Sequence, residues 1–492
     1  MMAKFCSANP IVGLPPLLIG VLFISLCACQ PAPEQAAPPL KTCRDCHAAA
    51  LRAQDDSHQF DCQVCHRGVV LASSSDAAHQ GLVAWPAAPD RFGEYCGGCH
   101  EKESSAARKS RHFTLASYEK FRAGYGGQAV ADMAALPICQ QPRNVAELAD
   151  DLVRRRCLRC HLAYQGEAYP ATRHGLGCAA CHFERLRDGG QSHRFIARPS
   201  DGHCLACHYG NRVGGDYYGL FQHDLPPEYK TPFMRREAPY GIESHQLIPD
   251  IHQERGLFCI DCHRGGELMA TAVGEKGKEE KASCAACHDA ELLVHRRPAG
   301  VSKNGDAFIF TARDGAIHPL PTLAHADHQR YGKTVACQAC HAQWSFDDQG
   351  QHFIRVDADD LDAWRPLSRQ GVAELDQMME SVIVAEKDPG PPAMSDPFTG
   401  EKRPGVWLLA YGQRRWEHIR LERVGELVTV VRPLNDIFLS WLDVEGVARF
   451  DNRPLAGENI LFAPYTPHTT GAVGMFRQER LRRIQLLERD QR

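Results

Sequence analysis

The chain has 492 residues, enough for several domains, and its 56 Lys and Arg against 60 Asp and Glu leave a formal charge of −4. The two signs are interspersed, which excludes the clustered basic surface that nucleic-acid binding needs. Aromatic residues make up only 8%, while Cys numbers 22, so cysteine chemistry rather than an aromatic-filled core is the feature to follow.

Residues 1–28 read as an export signal. Lys4 precedes an apolar run from Ile11 to Leu26 that is short for a membrane span and carries Pro15 and Pro16. Leu26-Cys27-Ala28-Cys29 resembles the bacterial lipobox, with small Ala28 ahead of Cys29. That resemblance implies lipidation at Cys29 and, with Gln30 next, sorting to the outer membrane, anchored without spanning. Residues 29–42, with Pro31, Pro33, Pro38 and Pro39, read as a semi-rigid tether.

From residue 43 one pattern recurs nine times: Cys-x-x-Cys-His. The Cys pairs are Cys43/Cys46, Cys62/Cys65, Cys96/Cys99, Cys157/Cys160, Cys178/Cys181, Cys204/Cys207, Cys259/Cys262, Cys284/Cys287 and Cys337/Cys340. The histidines that follow are His47, His66, His100, His161, His182, His208, His263, His288 and His341. Residues three and four apart share a helix face. Both thiols can therefore add to one porphyrin while the adjacent imidazole meets the iron, so each motif reads as a c-type haem attachment site. One copy could equally be a zinc half-site or a redox dithiol; nine copies with the His in place argue for nine haems c. Eighteen of the 22 Cys lie in the motifs, and the others are Cys6, Cys27, Cys29 and the isolated Cys139, so little remains for a disulfide scaffold. About 33 residues per motif is too little chain to wrap each haem separately. The fold expected is a mostly irregular and α-helical multihaem cytochrome with little regular structure, a core of stacked haems, and a small β-containing region at the C-terminus. Roughly eighteen propionates would make the loaded protein more acidic than its sequence.

The motifs group into sections. Residues 43–156 hold a first trihaem module plus a haem-free helical insert. Residues 157–240 hold a second, which repeats the first in its His-x-x-x-Cys spacing at His58 and His174. Residues 241–355 hold a third. Within the insert, Asn144 and Glu147 form a capping box that starts a packing helix running towards Cys157. Gly274 to Lys281 reads as an exposed loop. Of 25 His, nine belong to motifs, and sixteen remain to supply a second axial imidazole. The distal candidates are His58, His79, His112, His174, His193, His223, His245, His252, His295, His318, His325 and His328, more than nine irons can use. Bis-His ligation gives lower potentials than His/Met. Residues 356–492 form a haem-free cap: a helix at 374–388, strands at 405–413, 426–432, 437–444 and 459–463, and a tail helix from Phe476 to Asp490.

Three segments carry a family resemblance: His252 followed by Cys259-Ile260-Asp261-Cys262-His263; Cys337-Gln338-Ala339-Cys340-His341-Ala342-Gln343-Trp344; and Pro467-His468-Thr469-Thr470. Over residues 240–475 the chain resembles exported multihaem cytochromes of respiratory and metal-reducing bacteria. In similar proteins a further motif follows each of the last two segments; here Asp348-Gln349-Gly350-Gln351-His352 keeps the His alone, and no Cys follows Thr470. His352 is then either a relic or a ligand to a neighbouring haem.

The function expected is electron transfer between a periplasmic or outer-membrane donor and another cytochrome, an outer-membrane electron-transfer complex or an extracellular acceptor such as a metal oxide. No catalytic residue is assigned. The alternative is a multihaem reductase of nitrite, hydroxylamine or tetrathionate with one open iron, which the surplus of His disfavours. A unit of a cytochrome filament is a weaker third reading.

Overall fold

The computed structural model describes residues 39–48, 55–130, 133–189, 191–222, 238–270, 282–364, 367, 371–384, 391–455, 461–473 and 477–489. The export signal, Cys29, most of the tether, the Gly274–Lys281 loop and His223 lie outside them. No helix among the described residues is long and apolar enough to cross a membrane.

The C-terminal third is built on a four-stranded sheet. Strands β1 (Gln349–Val356), β2 (Val406–Gln413), β5 (Ile437–Leu442) and β6 (Ala448–Pro454) lie in the order β2-β1-β5-β6. β1 runs antiparallel to β2, with Val356 opposite Val406, and parallel to β5, with Val356 opposite Leu442. A second, antiparallel sheet orders β3 (Leu421–Val424), β4 (Leu427–Pro433) and β7 (Phe462–Pro464) as β3-β4-β7. The apolar run Val406 to Leu409 is buried along its length although β2 is an edge strand of the sheet, so both of its faces are covered.

Helix α1 (Val145–Arg155) packs on the larger sheet. Asn144 caps it by accepting from the Glu147 amide at 3.0 Å, as the sequence leads one to expect. Its residues from Leu148 to Arg155 are all buried. Leu148, Ala149 and Leu152 join Val356, Met394, Trp407, Leu439 and Trp441 in the largest apolar cluster. Helix α2 (Ala373–Val384) adds Leu375 and Met379 to that cluster. Helix α3 (Arg477–Arg489) buries Ile484 in a second cluster with Tyr331, Trp344, Phe346 and Val430.

The expected fold class is therefore corrected. The described chain is 33% helical and 21% strand, in several small sheets, which is not a mostly irregular or α-helical fold around a haem-stacked core. Two physical causes account for this. The region after the last motif hydrogen-bonds its backbone into real sheets around a side-chain core. The motif region closes its loops with short hairpins, such as Phe183–Arg185 against Gln191–Phe195 and Val301–Asn304 against Ala307–Thr311.

Candidate haem-binding sites

Numbered in chain order, the nine motifs are sites 1 to 9. Most are short helical turns, for example Cys43–Cys46, Cys62–His66, Cys259–Cys262, Cys284–His288 and Cys337–His341. Local caps start them: Thr42 and Asp45 form a capping box at site 1, and Ser283 accepts from the Ala286 amide at site 8. Site 4 differs, because Cys157–Cys160 winds as a 3₁₀ turn.

The expectation of one helical face for both thiols is also corrected at Cys96 and Cys99, the pair of site 3. The helix Phe92–Tyr95 ends where the motif begins, and Cys96-Gly97-Gly98-Cys99 follows as a non-helical turn. The cause is Gly97-Gly98, since glycine is a poor helix former. The turn still closes on itself: the Cys99 and His100 amides both donate to the Cys96 carbonyl, at 3.2 and 2.8 Å. Cys99 is exposed, not enclosed in a packed core, and its neighbour is Cys65 of site 2. The described thiols, Cys139 included, form no disulfide.

The motif histidines meet partners from distant sequence. The paired rings are His47 with His79 at 6.2 Å, His58 with His100 at 6.2 Å, His66 with His193 at 6.2 Å and His112 with His208 at 6.2 Å. His252 faces His288 at 6.1 Å, His263 faces His468 at 6.0 Å, and His328 faces His341 at 6.0 Å. Each of these seven pairs combines one motif His with one His from outside the motifs. An imidazole nitrogen bonds a metal at about 2.0 Å and its ring centre lies ~1.1 Å behind, so two imidazoles on one ion hold their centres about 6.2 Å apart. Two histidines that stack directly on a phenylalanine are closer: His58 on Phe195 at 4.1 Å and His352 on Phe438 at 4.8 Å. Among the described residues no group of three or more His, Cys, Asp or Glu is arranged to hold a metal ion alone. Two opposed imidazoles leave the remaining positions of an iron to a porphyrin, and the paired thiols beside them are its attachment chemistry. The residues fit haem c.

The Nδ1 atoms support the same reading. A ligating imidazole donates from its other nitrogen to a carbonyl or carboxylate, which leaves the Nε2 lone pair for the metal. Nδ1 of His66, His182, His208, His288 and His341 meets the carbonyls of Val83, Ile196, Val213, Pro321 and Gly471 at 2.8–3.0 Å. Nδ1 of His58, His252 and His263 meets Asp55, Asp250 and Glu267 at 3.0, 2.8 and 3.1 Å. At site 4 the polarity reverses: the Ala163 amide donates to Nδ1 of His161 at 3.2 Å.

Of the remaining distal candidates, His174 is buried, its Nδ1 meets the Gly175 carbonyl at 2.9 Å, and its Nε2 has no hydrogen-bond partner. His318 lies on a short strand opposite Phe310 with its Nε2 also buried and unpartnered. His245 sits opposite Phe221 in another strand pair. His295 is exposed at a helix end. His325 spends its Nδ1 capping a helix through the Asp327 amide. The residue the candidate list lacks is His468; the Pro467–Thr470 segment was the available signal.

The thiols also meet across motifs. Cys43 lies beside Cys62, Cys96 beside Cys178, Cys204 beside Cys259, and Cys284 beside Cys337. Cys65 lies near Cys96 and Cys99, Cys181 near Cys204, and Cys262 near Cys287. Backbone contacts agree: the Cys259 amide donates to Asp201, on the turn that carries Cys204, at 2.9 Å. Sites 1, 2, 3, 5, 6, 7, 8 and 9 thus lie in sequence along one row, and site 4 joins it at site 6 through Cys160 and Cys207. Burial pushes the Cys157 thiol up to about 12 and the Cys181 thiol up to about 11.

Comparison of the chain with family models, curated proteins and solved structures finds no match.

Proposed function

We propose that the chain binds nine haems c and carries electrons between a periplasmic or outer-membrane donor and a cytochrome or extracellular acceptor, tethered to the outer membrane through Cys29. The observation that carries this reading is the set of seven imidazole pairs at 6.0–6.2 Å, each joining a motif His to a distant one. Bound haem supplies one-electron chemistry at iron. The chain's own part is to hold and tune. Thiols fix each macrocycle covalently. His79, His193, His58, His112, His468, His252 and His328 serve as distal ligands at sites 1, 2, 3, 6, 7, 8 and 9. His174 is the candidate for site 4 or 5. Nδ1 hydrogen bonds at His58, His66, His182, His208, His252, His263, His288 and His341 keep those rings in one tautomer, so ligation need not change when the charge on iron does.

A second reading, a reductase with one open iron, has site 4 in its favour. That site lies off the row, and its motif is a 3₁₀ turn. One experiment separates the two. Electron paramagnetic resonance of the oxidised protein, with haem counted as the pyridine haemochrome, is expected to give nine haems, all low-spin. One stoichiometric high-spin haem supports the reductase. Fewer than nine haems in fully matured protein overturns the ninefold reading.

A further inference from the structure

Site 7 has a carboxylate behind each of its two imidazoles. His263 and His468 face each other at 6.0 Å. Nδ1 of His263 meets the Glu267 carboxylate, four residues further along, at 3.1 Å. Behind His468 stands Asp216, whose side chain has no exposed surface. Its Oδ2 accepts from the Tyr465 hydroxyl at 3.1 Å and from the His468 amide at 3.0 Å. Its Oδ1 and Nδ1 of His468 are both buried, neither has a hydrogen bond, and they lie 3.6 Å apart. Each atom is therefore the other's available partner. A third carboxylate, Asp250, binds the Thr470 amide two residues beyond His468. At sites 3 and 8 a carboxylate stands behind the distal imidazole, Asp55 and Asp250, and at site 8 the motif His288 meets the Pro321 carbonyl. Sites 2, 6 and 9 show backbone carbonyls behind their motif histidines.

A carboxylate that accepts the Nδ1 proton makes the ligating nitrogen more basic, and a buried negative charge beside an iron favours its more positive state. Both effects lower the reduction potential. We infer that Glu267 and Asp216 are positioning residues that make the haem at Cys259, Cys262 and His263 the lowest in potential of the nine. This inference rests on the haem reading above. Site 7 lies between sites 6 and 8, so the last haem to accept an electron stands within the row and not at its end.

The test is a spectroelectrochemical titration of the loaded protein, with the haem count and spin state recorded for each variant. The last component to be reduced should shift to higher potential in Glu267→Gln, which removes a half-exposed charge with little risk to folding. It should shift again in Asp216→Asn and further in the double variant, while the remaining components stay in place. A lowest component that neither variant moves, in protein with nine low-spin haems, overturns this inference alone. Protein that binds no haem at site 7, tested by a count lowered by one in Cys259→Ala/Cys262→Ala, overturns it together with its foundation.

Discussion

Cys139 shows how a single side chain is set by its neighbours. Burial, and then the Glu147 carboxylate that accepts from its thiol at 3.5 Å, push it up to about 11. Glu147 is itself held down to about 2, first by its side-chain bond to Arg143. Once the motif thiols are thioethers, Cys139 is the thiol that remains among the described residues. It should alkylate slowly at pH 8, and Glu147→Gln should speed the reaction by roughly tenfold, since the thiolate is the reacting species. Mass spectrometry of iodoacetamide-treated protein reads this directly, and a wild-type rate equal to that of free cysteine would refute it. At this scale the motifs are plain in the sequence, because their chemistry is local: two thiols and an imidazole on one turn. The kind of turn is less plain, since Gly97 and Gly98 open the helix that the spacing of Cys96 and Cys99 suggests. Partner imidazoles are not legible, because His193 pairs with His66 of the motif at 62, and His468 pairs with His263 of the motif at 259. Spacing along the chain carries no information about such meetings, which is why His295 and His325 look as eligible as His79 and His468 does not stand out.

Among the elements, α1 joins the motif region to the sheets that follow the last motif, and it does so with buried charge. Arg122 binds Asp150 at 2.6 Å, Arg154 binds Asp396, and Arg355 binds Asp357 at 2.8 Å and Asp151 at 3.3 Å. Trp407 and Trp441 donate to Asp151 at 2.8 Å and to Asp357 at 3.0 Å. Removing one partner of such a pair leaves an uncompensated buried charge, so Asp396→Asn should cost about 3–5 kcal/mol in urea unfolding. Burial pushes the Asp396 carboxyl up, but Arg154 and the Phe398 and Thr399 amides outweigh it and hold it below its ordinary 3.8. The sign follows: its contribution is complete above pH 3.8 and is lost as the pH falls through the lowered value, so the urea midpoint should drop more steeply below pH 4 in the wild type than in Asp396→Asn. Parallel acid profiles of the two proteins would disprove the role. The start of α1 is legible from Asn144 and Glu147, and so is its apolar stripe. Its polar side would pass for a solvated face, because Asp396 and Arg355 lie more than 190 residues away. The strand expected at 405–413 is found as Val406–Gln413, because its apolar run signals burial on both faces. The expected irregular fold fails because motif density says nothing of how the backbone between and after the motifs satisfies its own hydrogen bonds.

For the molecule as a whole, what matters is the order in which the sites touch, and that order is not the order of the chain. Site 3 meets site 5 through Cys96 and Cys178, so the row passes over site 4. The imidazole pairs lock this arrangement: His193 of the second module faces His66 of the first, and His112 of the first faces His208 of the second. Neither module can then swing away without breaking a pair, so loss of one site should leave its neighbours in register. A photosensitiser on Lys333→Cys, an exposed position four residues before Cys337, would inject electrons at site 9; Cys139→Ser removes the competing thiol. In the row, sites 1 to 5 reach that end through site 6. With site 6 deleted by Cys204→Ala/Cys207→Ala, the fast phase of haem reduction should therefore fall to three haems, those at sites 7, 8 and 9. With site 4 deleted by Cys157→Ala/Cys160→Ala, all eight remaining haems should still fill in one phase, because nothing in the row passes through that branch. Absorbance counts the haems reduced in each phase. If the site 6 deletion left the fast phase at eight haems, electrons would be crossing between sites that the thiol contacts do not join, and the row would not be the route.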